Sequence, residues 1–146
     1  MKKLGLDLGS KTCGVAISDG LNLYAHPLTT LYYTEGDYTG LLGQIEAIFE
    51  KERIDAIALG FPKMMNNDVG ERAQISEYFK ELLEKHLKVP VVLIDERLTS
   101  VFATKQLINQ DVSRKKRKKV IDQLAAVHIL QTYLDQLEFM EEKNNG

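Results

Sequence analysis

Asp7 sits among Leu4, Leu6 and Leu8, so a carboxylate interrupts a stretch whose alternating leucines call for burial. An ionised carboxylate there is costly unless a cation, a hydrogen-bond donor or a metal satisfies it. Asp7 is therefore a candidate metal ligand; the alternative is a strand-end aspartate that hydrogen-bonds the following turn. Two further acids, Asp95 and Glu96, close an apolar run at 89–94, and Asp122 lies in a helical stretch whose pattern groups it with Ala125, Ala126, Ile129 and Tyr133. Three carboxylates meeting from distant parts of the chain without histidine are hard oxygen ligands, suited to Mg2+ or Mn2+ and poor for zinc. Two such ions ~3.5–4 Å apart would activate a water and stabilise the leaving 3'-oxygen of a phosphodiester. Taken alone, Asp122 reads equally as an early-helix acid favoured by the positive end of the dipole. Side-chain parity does not choose between Asp95 and Glu96, because both faces of the preceding run are apolar.

Basic residues are as unevenly placed as the acids. Arg114, Lys115, Lys116, Arg117, Lys118 and Lys119 form one run, leaving 13 basic against 21 acidic residues elsewhere in the chain. A helix pattern begins here, with Ser113 or Asp111 as candidate N-cap, and cations in a first turn oppose the macrodipole. Helix stability does not explain the run, whereas neutralising a polyphosphate with release of counterions does. The competing reading is a solvated charged face.

These groups need a scaffold, and its elements follow from periodicity. Strands are expected at 2–8 and 13–18 and a third within 23–32, joined as an antiparallel meander by short connections. Helix and strand then alternate. Leu41, Leu42, Ile45, Ile48 and Phe49 recur at helical spacing, 56–61 reads as strand, and Ile75, Phe79, Leu82 and Leu83 as helix. The run at 89–94, apolar on both faces, is expected as a central strand covered on each side. Helices follow from Thr99 or Ser100 to Ile108 and over 113–137. The order βββαβαβα predicts an α/β fold: a mixed five-stranded sheet, three antiparallel strands first, with helices on both faces.

With 146 residues and 44% hydrophobic content, one domain is expected over 1–138, followed by a flexible polar tail at 139–146. Asp7 interrupts any signal-peptide core after Lys2 and Lys3, and no apolar segment reaches membrane-spanning length, so a cytoplasmic protein is expected. Cys13 is the sole cysteine, which excludes an internal disulfide. His26, His86 and His128 are scattered without ligand spacing and read as structural.

Four segments make the order specific. Residues 5–19, 60–73 from Gly60-Phe61-Pro62 to Gly70-Glu71-Arg72-Ala73, Asp95-Glu96-Arg97-Leu98-Thr99, and 117–134 around Asp122-Gln123-Leu124-Ala125-Ala126 resemble the YqgF family, also called RuvX, in that family's order. Asn66-Asn67-Asp68 and Glu71 depart from its usual loop without touching the carboxylates. The resemblance implies a ribonuclease H-like fold and a metal-dependent endonuclease acting on structured nucleic acid, with Mg2+ or Mn2+ held by Asp7, Glu96 and Asp122. It favours Glu96 over Asp95 as ligand; Asp95 would then orient Arg97 or cap the next helix. Processing of the 5' end of pre-16S rRNA in ribosome biogenesis is the implied role, and cleavage of branched DNA as a Holliday junction resolvase is the alternative. Lys11, Thr12, Arg72 and Arg97 are candidate nucleic-acid contacts beside the basic run. A monomer or weak homodimer is expected, since symmetric junction cleavage would need two copies but no long exposed apolar stripe is evident.

Two other classes compete. A nucleic-acid binder without catalysis would keep the basic run and need no metal. A nucleotide-binding module is suggested by 5–12, close to a P-loop, but Ser10 replaces the second glycine and a strand follows where a helix is required. The Asp7 loop also looks like the phosphate loop of actin and sugar kinases, which close two such domains around ATP, whereas this chain has length for one.

Overall fold

Leucine alternation does build a first strand, β1 (Lys2–Leu8), and the computed structural model describes it together with the rest of residues 1–62, 70–98 and 114–145. A turn at 9–11 returns the chain as β2 (Thr12–Ser18), and β3 (Ala25–Tyr32) completes the antiparallel meander. Helix α1 (Tyr38–Lys51) starts at Asp37, whose carboxylate accepts from the Gly40 N–H. Then come β4 (Ile54–Phe61), α2 (Glu71–Leu87), β5 (Val91–Asp95) and a 3-10 turn over Glu96–Leu98. The chain closes with the long helix α3 (Arg114–Asn145). The helix expected at 99–108 and both candidate caps of α3 lie outside the described residues.

The sheet order is β3-β2-β1-β4-β5, with β1 and β4 and then β4 and β5 parallel. Parity divides the molecule into two cores. Leu4, Leu6, Leu8, Val15, Ile57 and Leu59 face α1 and α2, where they meet Leu41, Ile45, Phe79 and Leu83. Ala16, Ala56, Ala58 and Ile94 face α3 and pack on Ala126, Ile129, Leu130 and Leu134. Gly5 and Asp7 alternate with the leucines and so belong to the α3 side.

Two expectations need correction. β5 is an edge strand of the described sheet, not a central one. Its apolar character on both faces comes from the two helical layers, which reach an edge strand as well as a central one: Leu93 packs, partly buried, on one core and Val92 on the other. The last helix also runs on to Asn145 instead of ending near 137. Glu, Met and Lys are strong helix formers and no glycine or proline intervenes before Gly146, so the helix outlasts its buried face and exposes Phe139 and Met140.

Contact between α3 and the sheet depends on Gly5. A Cβ there would lie 2.6 Å from the Leu130 Cβ and 2.9 Å from the Ala126 carbonyl oxygen, both too rigid to step aside. Gly5→Ala is expected to cost about 1–3 kcal/mol by overpacking; an unchanged urea midpoint would show that α3 can lift off the sheet freely.

Candidate active site

Close approach of α3 sets the stage at the carboxyl end of β1. Asp7 is 5% exposed and opens into a cleft of about 370 Å³ lined also by Leu8, Gly9, Ser10, Gly60, Pro62, Arg72 and Glu96. Gly60 is the key neighbour. It follows Leu59, the partner of Leu6, and a Cβ there would meet the Glu96 Oε1 at 3.0 Å and the Ile129 Cδ1 at 2.5 Å. The absence of a side chain at 60 thus gives the Glu96 carboxylate its room on the α3 side of the sheet, the side of Asp7.

Asp95 goes elsewhere. Both of its oxygens accept from Arg97: Nε lies 3.1 Å from each, Nη2 lies 2.7 Å from Oδ2, and the Arg97 backbone N–H reaches Oδ1 at 2.9 Å. This fork holds the guanidinium over the 3-10 turn, and the Asp95 carboxylate raises the Arg97 pKa further above its ordinary value. Asp95 therefore orients Arg97 in the structure, the alternative left open by parity.

The turn after Asp7 is held from two sides. Arg72, in the first turn of α2, donates from Nη2 to the Leu8 carbonyl at 2.9 Å. Tyr33 donates its hydroxyl to the next carbonyl, that of Gly9, and its backbone N–H to Lys11 at 3.0 Å. The Gly9 N–H closes the turn on the Thr12 carbonyl at 2.8 Å. Thr12 is only 3% exposed, and its backbone carbonyl closes the turn. Lys11 stands exposed at the turn, while Arg72 lines the cleft with one nitrogen committed to the backbone.

Tyr33 carries no periodicity signal and was not legible as a site residue; only its place one residue past β3 brings it to Gly9. Burial foremost, then Tyr38 and Cys13, pushes its pKa up to about 12, with Arg72 acting the other way. A phenol whose folded pKa lies above its ordinary value of 10.0 contributes stability below pH 10 that is lost as pH rises toward 12. Tyr33→Phe should remove that alkaline loss and cost about 0.5–1.5 kcal/mol at neutral pH. Urea unfolding at pH 7 and pH 11 checks both, and an equal pH dependence in the two proteins would contradict the assignment.

Among the described residues no three His, Cys, Asp or Glu side chains gather at metal-ligand distance. Asp7 and Glu96 place two carboxylates on one cleft, and no histidine or cysteine is among the described residues that line it. The helical backbone places position 122 one turn before Ala126, whose carbonyl lies against Gly5. The Asp122 side chain and those of the basic run lie outside the described residues; the backbone of the run forms the first turns of α3, as the sequence pattern indicates. No helix of the described residues is long and apolar enough to cross a membrane.

Comparison with known proteins follows the same lines. A family model described as "RuvX: Holliday junction resolvase" matches residues 1–136. A Bacillus subtilis protein named "Putative pre-16S rRNA nuclease" is 52% identical over 139 residues, covering 94% of this chain and 99% of its own. A Listeria monocytogenes protein of the same name is 47% identical over 135 residues, 92% and 98% of the two chains. Among solved structures, Thermus thermophilus RuvC in complex with a Holliday junction substrate superposes with a TM-score of 0.58 at 12% identity, over 94% of this chain and 96% of RuvC. The fowlpox virus Holliday junction resolvase gives 0.54 at 15% identity, over 94% and 99%. At such identities the two structures speak to fold alone, and the fold is the ribonuclease H-like one.

Proposed function

This chain belongs to the RuvX family, and from that membership and the cleft we propose that it is a divalent-metal-dependent endonuclease that hydrolyses phosphodiester bonds of structured nucleic acid, in the cytoplasm, at the 5' end of pre-16S rRNA. The observation that carries the reading is the meeting of Asp7 and Glu96 on one cleft, beneath a helix brought close by Gly5 and Gly60. Relatives about half identical over nearly their whole length carry the pre-16S rRNA nuclease name.

The donor chemistry fits Mg2+ or Mn2+: carboxylate oxygens with no soft ligand among the described residues of the cleft. Asp7 and Glu96 would hold it, with Asp122 of α3 as third ligand. Bound there, the ion supplies Lewis acidity toward the phosphodiester and the attacking water. The residues around it do the positioning. Arg72 and Tyr33 fix the turn that carries Asp7, and Arg97, pinned by Asp95, presents a cation beside the cleft to the phosphate backbone. Lys11 and the run from Arg114 to Lys119 add a positive surface for the rest of a long polyanion. A monomer or weak homodimer suits a single cut in a precursor.

A resolvase acting on branched DNA is the second reading, favoured by the description of the matching family model. Incubation with a structured precursor RNA tests the first: Mg2+- or Mn2+-supported cleavage that stops with EDTA is expected, and cleavage that continues in EDTA would refute it.

A further inference from the structure

We propose that Tyr32, on the outer strand of the sheet, stacks on an unpaired base of the substrate strand where that strand leaves the cleft, an inference that rests on the nuclease reading and adds which side of the site holds the flanking strand. Side-chain parity places the ring. On β3, Leu31 and Tyr33 turn to the α1 core, while Thr30 turns to α3, where its Oγ1 accepts from the Gln123 Nε2 at 3.2 Å. Tyr32 therefore shares a sheet face with Thr30, Gly14 and Asp7, which lie in one row across β3, β2 and β1. Two strand spacings of ~4.8 Å and two residues of ~3.3 Å each put its Cα about 12 Å from that of Asp7, the length of a few nucleotides.

Packing does not explain this ring. Tyr32 is 63% exposed, whereas Thr12 opposite it and Thr30 on its own strand are buried. One ring beside two threonines is too small an apolar surface for a protein partner and the right size for a single base. Charge points to the same occupant. Exposed Lys11 stands at the turn next to it, its carbonyl accepting from the Tyr33 N–H. Counting back along α3 from Gln123, positions 119 and 116, both lysine, fall on the helix face that Gln123 turns to β3. A polyanion drawn to these cations passes the ring, and only an unpaired base offers it a free face. Leu21 and Tyr24 are exposed too, but at the connection between β2 and β3, the far end of the sheet from Asp7.

The chain contains no tryptophan, so Tyr32→Trp places a single indole reporter at this edge. In an Asp7→Asn background, which suppresses cleavage, a 12-nucleotide single-stranded RNA should quench that fluorescence and a blunt RNA duplex of equal length should not. Tyr32→Ala in the same background should weaken single-strand binding about five- to tenfold, in the range of one lost base–aromatic stack, with duplex affinity unchanged. The salt dependence of binding should keep the parent's slope, because a stacked ring releases no counterion. Tyr32→Phe should bind like the parent, separating stacking from the hydroxyl. Single-strand affinity indifferent to Tyr32→Ala, equal quenching by both RNAs, or an equal loss in Tyr32→Phe would overturn the stack while leaving the nuclease reading intact. If the Asp7→Asn parent binds neither RNA, the nuclease reading itself falls and the stack with it.

Discussion

Asp7→Asn and Glu96→Gln are each expected to lower metal-dependent cleavage by about a hundredfold to a thousandfold, the loss that follows removal of one well-placed electrostatic group. Asp95→Asn should cost far less. Each substitution keeps size and shape and removes one charge, so the contrast isolates which carboxylate serves the cleft. Glu96 owes its place to Gly60, since any Cβ at 60 would stand 3.0 Å from its Oε1, whereas Asp95 spends both oxygens on Arg97. The unfolding midpoint of Asp7→Asn should stay within about 4 °C of wild type, because the amide fits where the carboxylate was and relieves a buried charge. Initial rates at saturating Mg2+, with thermal melts alongside, check all three. Comparable losses in Asp95→Asn and Glu96→Gln would mean that the edge of β5 is used the other way round.

Neutralising Lys115, Lys116, Arg117 and Lys118 to glutamine should produce the largest change in binding. If each cation neutralises one phosphate, the slope of log affinity against log salt flattens by about 3, and between 50 and 200 mM salt the two proteins converge by roughly 60-fold. Sequence preference should not change, because phosphate contacts position a nucleic acid without reading it. The helix itself should gain slightly, four cations having left the positive end of its dipole. Filter binding of structured RNA across a salt series, with a melt of the free protein, measures both. An unchanged slope would assign the run to a solvated face.

Much of this was legible because period and chemistry agree. The leucines of β1, the alternation of helix and strand after β3, and the position of Asp7 within β1 all follow from residue spacing, and the meander and crossovers come out as expected. Strand order was harder. Val92 and Leu93 report that two layers cover β5, but coverage of faces carries no information on whether a further strand lies beside it. The polarity of 138–145 suggested fraying, yet helix propensity without a breaker extends α3 through it. At the site, residue spacing left Asp95 and Glu96 equivalent; that Glu96 has its room beside Gly60 while Asp95 turns to Arg97 depends on a residue with no side chain for a pattern to register. Tyr33 escaped notice for a related reason: its partner is a backbone carbonyl 24 residues away, and no residue type marks such a contact.

The most direct measurement sets wild type and Asp7→Asn side by side on a structured pre-16S rRNA fragment and a four-way DNA junction, each with Mg2+, Mn2+ or EDTA. Cleavage of the RNA by wild type with either metal, none in EDTA and a loss of about a hundredfold or more in Asp7→Asn, is the expected result. Binding of both substrates without cleavage of either, or cleavage undiminished in Asp7→Asn, would contradict a carboxylate-held metal as the catalytic centre of this chain.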